Sequence, residues 1–309
     1  MTIANERGEA HAVNVRRAEP DVASARLKAI GLMSAAVMCF AALDTSGKLL
    51  TRELDTIQIV WGRYAAHFLI ALVLFNPFGA PGVFRSRNWP LELFRAALLF
   101  GSTATNFFAL RYLQLDETTS IIFATPLLVA LLAGPLLGEW VGPRRLAAIG
   151  VGFLGVVLVL RPGLGGLHWA ASFSVLGMVC YALYSITTRK LAQVDSAATM
   201  VLLSALVPAL ALTPAMPFVW RMPEHATSWL LLAGTGLFGA VGHWLLTVAH
   251  RLAPASILMP FTYSQILWVV LLSYIVFHDV PSGTTLVGAG IVIASGLYLL
   301  YRERVRRGA

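Results

Sequence analysis

The chain has 309 residues, of which 58% are hydrophobic and only 12% charged, and it carries a formal net charge of +8. A soluble domain of ordinary make-up has about 25% charged residues, so this composition excludes one, and the long continuous apolar runs argue against an alternating β-barrel pattern. The basic residues sit in short loops and at the two ends, where they orient a chain in a membrane, so membrane lipid and not nucleic acid is the expected surrounding.

Residues 1–28 form a polar tail of mixed charge without a signal-peptide core, expected to be flexible and cytoplasmic. Ten apolar segments follow, at 29–49, 57–76, 91–111, 117–137, 144–160, 168–188, 198–219, 228–249, 255–277 and 282–301. Each is long enough to cross a hydrocarbon core of about 30 Å. Residues 302–309 are a short basic tail. With the N-terminus placed inside, seventeen of the 23 Lys and Arg fall on the inner side and four on the outer, and Lys48 and Arg63 lie within segments. That asymmetry predicts an all-α integral membrane protein with ten spans and both termini cytoplasmic. Trp61, Trp89, Trp140, Trp169, Trp220 and Trp229 fall near segment ends, as an interfacial belt requires, while Trp244 and Trp268 fall inside segments and read as core packing or cavity lining.

The second half of the chain echoes the first. At an offset of 140, Arg111 meets Arg251, Leu131 and Leu132 meet Leu271 and Leu272, and Gly150 meets Gly290. Gly138-Glu139 lands on His278-Asp279, and at an offset of 141 "MCFAAL" (38–43) meets "VCYALY" (179–184), pairing Cys39 with Cys180. The repeats are read as 29–163 and 164–301. Five segments per repeat is odd, so the second half enters the membrane from the opposite face; this inverted arrangement places a substrate site near the midplane, between the halves.

Charged groups inside apolar segments are costly and point to function. Asp44 on the first segment and Arg63 on the second fall at similar depth in the outer half. His67 lies one turn deeper on the face of Arg63, and Asn106 on the third segment is again about five residues from its outer end. These four, with Lys48 at the end of the first segment, are expected to line an outward-facing cavity in which Arg63 attracts a carboxylate, phosphate or carbonyl. The alternative is a purely structural pairing of Asp44 with Arg63. A second, aromatic set, Tyr181 and Tyr184 on the sixth segment and Tyr263, Gln265 and Trp268 on the ninth, is expected to hold a flat, partly apolar solute; ordinary helix packing is the competing reading. Asp44 and His67 are the candidates for proton coupling, with His243 behind them. Pro126 and Pro260 are candidate hinges.

"GVGFLG" (150–155) and "GTGLFG" (234–239) match a dinucleotide fingerprint, but both lie in apolar helices and read as helix-packing glycines. The two cysteines, both in apolar segments, suggest neither a disulfide nor a metal site. Without a Walker A loop, a zinc-protease motif or a nucleophile elbow, no cofactor is expected. The candidate functions are a secondary carrier of a small organic solute, a membrane enzyme and a channel. The scattered acids suit the enzyme poorly, and polar patches in place of a continuous stripe suit the channel poorly.

The stretches "WGRYAAHFLIALVL" (61–74), "TPLLVALLAGPLLGEWVGPRRLAAIGVGFLGVVLVLRPG" (125–163), "CYALYSITTRKLA" (180–192) and "FTYSQILWVVLLSYIVFHDVPSGTTLVGAGIVIASGLYLLYRER" (261–304) resemble the ten-helix EamA-type carriers of the drug/metabolite transporter superfamily. The resemblance covers the chain from about residue 29. It implies an inner-membrane carrier working by alternating access on small organic solutes: amino acids, nucleotide-related metabolites, vitamins such as riboflavin, or drugs. The aromatic set and Arg63 tilt the expectation to an aromatic or heteroaromatic solute, and leave import or export and oligomeric state open. One departure is Phe277-His278-Asp279, where the family repeats Gly-Glu; the acid survives one methylene shorter, so its structural role is expected to persist.

Overall fold

The computed structural model describes residues 3–76, 82–113, 118, 121–122, 124–160, 169–278 and 283–305, and the regular structure among them is helical. The main helices are α1 (Ile3–Leu50), α2 (Thr56–Phe75), α3 (Trp89–Tyr112), α4 (Thr125–Leu137), α5 (Pro143–Leu160) and α6 (Ala171–Leu191). α7 (Ala197–Leu212) runs on through a 3-10 turn to Val219, and α8 spans Ala226–Leu252. α9 is composite: an α turn (Ala255–Leu258), a 3-10 stretch (Met259–Ser264), an α stretch (Gln265–Leu272) and a π turn (Ser273–Phe277). α10 spans Gly283–Val305.

Seven of these stretches are long and apolar enough to cross a membrane: Ser24–Leu50, α2, α3, α6, Ala197–Val219, α8 and Ala255–Phe277. α2, with 20 residues, matches the hydrocarbon thickness. Local signals set the boundaries. Asp55 caps α2 by accepting from the Ile57 N–H at 2.8 Å, Asn88 caps α3 through the Leu91 N–H, and Ser196 caps α7 through the Thr199 N–H at 3.0 Å.

One expectation changes. The polar tail is not a separate coil, because α1 begins at Ile3 and continues without a break into the first apolar segment. In the fourth segment Thr118, Ile121 and Ile122 are helical as well, Ala124 is a turn, and Pro126 stands in the first turn of α4, just after that break, where a missing N–H costs nothing. Pro135 stands inside α4 and Pro208 inside α7, and Pro260 opens the 3-10 stretch of α9. The boundary at 163/164, Arg161, Asp116, Glu117, Asp279 and the last residues of the basic tail lie outside the described residues.

The helices pack in pairs. α1 lies along α8 and α3 along α6; α2 contacts α8 and α7; α7 also packs on α3; α5 pairs with α10; α4 touches α6, and α9 touches α1. Glycines make the close approaches. A Cβ on Gly236 of α8 would lie 2.3 Å from the Ala66 Cβ of α2, and one on Gly155 of α5 would lie 2.9 Å from the Gly288 carbonyl oxygen of α10. Gly236, Gly152 and Gly155 are thus packing glycines, as membrane helices in contact require, whereas a Cβ on Gly239 or Gly234 would make only ordinary contacts, at 3.5 Å and 3.8 Å, and one on Gly150 would meet no described atom within 4 Å, so the packing reading fails at these three. Large apolar side chains face outward along most helices, among them Leu69, Val73, Leu131, Leu154, Phe218, Leu230 and Leu297. Polar side chains lie inside: Gln58, Arg63, His67, Glu92, Arg95, Asn106 and His243 are all buried. That inversion suits a lipid surrounding.

Candidate functional site

A cavity of about 80 Å³ lies between the α1/α8 pair and the α3/α6 pair. Its wall comprises Phe40, Leu43 and Asp44 of α1, Arg63 of α2, and Leu99, Ser102, Thr103, Asn106 and Phe107 of α3. Ile122, Tyr181 of α6, His243 of α8 and Gln265 of α9 complete it. The wall therefore draws on both halves of the chain. On α3, Leu99, Ser102, Thr103, Asn106 and Phe107 recur every three or four residues, so one helical face meets the cavity.

Arg63 is 2% exposed, yet among the described residues no carboxylate stands within ion-pair distance of it. Its Nη1 donates to Thr103 Oγ1 at 3.1 Å, its Nη2 to His243 Nε2 at 3.1 Å, and its guanidinium lies over the Tyr64 ring at 4.5 Å. Its Nε has no partner among the described residues. Asp44 takes its hydrogen bond from Asn106 Nδ2 at 3.1 Å, and Asn106 Oδ1 is also buried and without a partner there. Asp44 and Arg63 thus face one cavity without being locked together. An unmet donor and an unmet acceptor in one wall are costly to leave dry, and a polar solute can satisfy both.

His243 links this wall to a second network. Arginine only donates, so His243 Nε2 accepts and the ring proton sits on Nδ1, which donates to the Tyr184 oxygen at 3.1 Å. The same oxygen accepts from Arg95 Nη1 at 3.3 Å. Arg95 is fully buried and saturated: it pairs with Glu92 one turn back and donates to the Met200 carbonyl and to Ser204 Oγ at 2.6 Å.

The structure brings Asp44, Arg63, Asn106, Tyr181 and Gln265 to one cavity, five of the nine residues expected there. His67 lies behind it, fully buried, its ring parallel to that of His243 at 6.0 Å. Tyr184 sits a layer deeper, stacked on Tyr181 at 5.9 Å and bonded to His243. Tyr263 packs on Gly152 of α5, its hydroxyl directed at the Ile149 carbonyl, and Trp268 packs in the apolar core. Neither lines the cavity. Trp244 is 41% exposed on the outside of α8. Lys48 does not join the cluster; its Nζ donates to the carbonyls of Leu110 at 2.6 Å and Leu113 at 2.8 Å. Sequence reasoning missed Ser102 and Thr103, although both share the α3 face of Asn106. Arg95, one of the seventeen inner-side cations, is also buried in a pair with Glu92 three residues earlier, a spacing that marks an internal pair.

A bundle that is apolar outside and polar within, with a small polar cavity between helix pairs, suits a multi-pass membrane protein that takes a small solute. Comparison with known proteins agrees. The EamA-like transporter family matches residues 27–161 and again 168–302, and the chain belongs to that family. It is 30% identical to a riboflavin transporter of Vibrio cholerae, over 80% of this chain and 83% of that one. It is 26% identical to an S-adenosylmethionine uptake transporter of Rickettsia bellii, over 89% of this chain and 94% of that one. A riboflavin transporter of Rhizobium johnstonii is 27% identical, over 89% and 91%. A solved crystal structure shares the fold at a TM-score of 0.70 and 18% identity, covering 88% of this chain and 98% of that one. The protein is a small-metabolite transporter, not an enzyme, and a multi-pass protein of the bacterial inner membrane.

Proposed function

We propose that the protein carries a flat nitrogen-heterocyclic metabolite by alternating access, with the substrate held between Arg63, Asn106, Asp44, Tyr181 and Gln265. The observation that carries this reading is the pair of buried, unpartnered groups in one wall, Arg63 Nε and Asn106 Oδ1. A heterocyclic ring edge with a carbonyl beside an N–H meets both, and Tyr181 supplies an aromatic face. The relatives named for riboflavin and S-adenosylmethionine both point to such a ring. Riboflavin is the first candidate. S-adenosylmethionine is the second, favoured by one feature: Asp44 faces the cavity with no ion pair among the described residues, ready for a cationic group.

A cavity of about 80 Å³ is far below the roughly 300 Å³ at which ligand pockets begin. The cavity as described is too small to hold such a ring system, and loading requires the helix pairs to part. α9 has the irregular backbone for such a movement, a 3-10 stretch opened by Pro260 and a π turn.

The proposed frame is ten crossings in two inverted repeats, 29–163 and 164–301, flanked by the tails 1–28 and 302–309, with both termini cytoplasmic. The packing supports it. Exchanging the halves turns α1–α8 into α6–α3, α2–α8 into α7–α3 and α4–α6 into α9–α1, and all of these contacts are made. Cys39 adjoins Gly242 and Cys180 adjoins Gly101, so each member of one repeat-related pair meets a member of the other. Gly138 and His278, which the repeat aligns, both take left-handed backbone, at φ +70° and +59°. Lipid surrounds the bundle, and protons remain candidates for coupling through Asp44.

The test is thermal unfolding of the purified protein with each compound. A ligand at 100 times its Kd stabilises by about 2.7 kcal/mol. Riboflavin is expected to raise the melting temperature; with Asp44→Asn its shift persists and any shift by S-adenosylmethionine disappears. No shift by either compound, together with no saturable flux of either in proteoliposomes, overturns the reading.

A further inference from the structure

Lys48 and Arg189 are repeat mates at an offset of 141, and the carbonyls they bind belong to Leu110 and His250, mates at an offset of 140. Lys48, at the end of α1, ties onto the last turn of α3 through two carbonyls. Arg189, at the end of α6, ties onto the last turn of α8 through the His250 carbonyl at 2.5 Å, and also binds Glu139, beyond α4, at 2.8 Å. A cation on the last carbonyls of a helix satisfies groups the helix cannot satisfy itself and complements its dipole.

The position of these ties matters more than their strength. α1 packs extensively along α8 and α3 along α6, whereas α1 with α3 and α6 with α8 touch only slightly. The cavity lies between the α1/α8 and α3/α6 pairs. Each tie therefore bridges the two pairs, across the cavity, and the two sit at opposite ends of it.

We infer that Lys48 and Arg189 are paired positioning residues of the transport cycle, each latching one end of the cavity, so that release of one latch opens the site to one face of the membrane. This rests on the inverted-repeat topology proposed above. Because both latches are closed here, the small cavity and the intact ties describe one state. Opening at one end separates the helix pairs there while the other latch holds. Neither residue is among those that line the cavity, so each acts on access and not on substrate contact.

The experiment uses the full chain in membrane vesicles of both orientations. Cys39 and Cys180 are replaced by Ala and Ser102→Cys reports cavity access to an impermeant thiol reagent. Separate Arg52→Cys and Arg251→Cys reporters establish which face each end occupies. Lys48→Ala is expected to raise Ser102→Cys labelling from the face labelled by Arg52→Cys, and Arg189→Ala from the face labelled by Arg251→Cys. Each increase is expected to be about tenfold, as the loss of a charge-assisted hydrogen bond does to a two-state equilibrium. Lys48→Arg and Arg189→Lys are expected to restore the parent pattern, which a merely structural loss does not predict. If an alanine variant fails to assemble, Lys48→Gln or Arg189→Gln, each keeping an N–H donor, is expected to give a smaller increase at the same face. Labelling that rises at the same face for both variants, at the reversed faces, or at neither overturns the latches. Loop reporters labelled from one common face overturn the topology instead.

Discussion

Two buried arginines sit on neighbouring helices, linked through His243 and Tyr184, and their surroundings differ completely. Arg95 on α3 has a carboxylate, a phenol, a hydroxyl and a backbone carbonyl. Arg63 on α2 has a threonine, a neutral imidazole acceptor and an aromatic face, with Nε unpaired and a cavity beside it. Both are at most 2% exposed, so burial alone does not tell them apart. A saturated buried charge holds a structure together, while an under-satisfied one is stabilised further by a ligand.

The sharpest way to break this contrast is Arg95→Ala. It strands Glu92 in the interior, and we expect a loss of about 3–5 kcal/mol, read as a large fall in melting temperature or failure to assemble. Arg63→Gln breaks no ion pair among the described residues. We expect a nearly unchanged apo melt but a loss of about 1.5–3 kcal/mol in ligand affinity, measured by titration. Equal damage to folding by both variants would erase the distinction. Gly236→Ala probes how α2 is held, since the added methyl meets Ala66 directly. A cost of about 1–3 kcal/mol in stability is expected, with weakened ligand binding because α2 carries Arg63.

Two smaller changes serve as controls far from either arginine. His278 adopts left-handed backbone at φ +59°, so His278→Gly is expected to gain about 1 kcal/mol in thermal stability and to leave affinity unchanged. Glu53, in the turn after α1, accepts from the Ser228 hydroxyl and from the Glu224 N–H, and these bonds hold its carboxyl below the ordinary value. Its contribution to stability is present above the usual carboxylate range and is lost as pH falls through the depressed value. Ser228→Ala is therefore expected to flatten the acid limb of the melting profile, with little effect at neutral pH.

Much of this molecule was legible before its fold. Hydropathy placed an apolar segment on each of the seven described stretches long and apolar enough to cross a membrane, and the polar tail extends the first of their helices. The depth argument grouped Asp44, Arg63 and Asn106, and all three line one cavity. The same argument put Lys48 with them, although its Nζ reaches backbone carbonyls of α3, which leave no side-chain signature, and it pushed His67 into the wall when the ring lies behind it. The aromatic set divided: Tyr181 and Gln265 reach the cavity, while Tyr184, Tyr263 and Trp268 pack elsewhere.

The sequence by itself determined the class of the protein, its apolar segments, the internal echo and which polar groups lie within those segments. All of these follow from hydropathy and periodicity, which are read along the chain. Only the tertiary structure decided which polar groups are satisfied. Arg63 meets His243 across 180 residues, Arg95 meets Ser204 across 109, and Arg189 meets the His250 carbonyl across 61. Helix pairing sets those partnerships, and the helix pairing is fixed by close approaches at single glycines and by exchange between the two halves of the chain, neither of which leaves a local pattern to read.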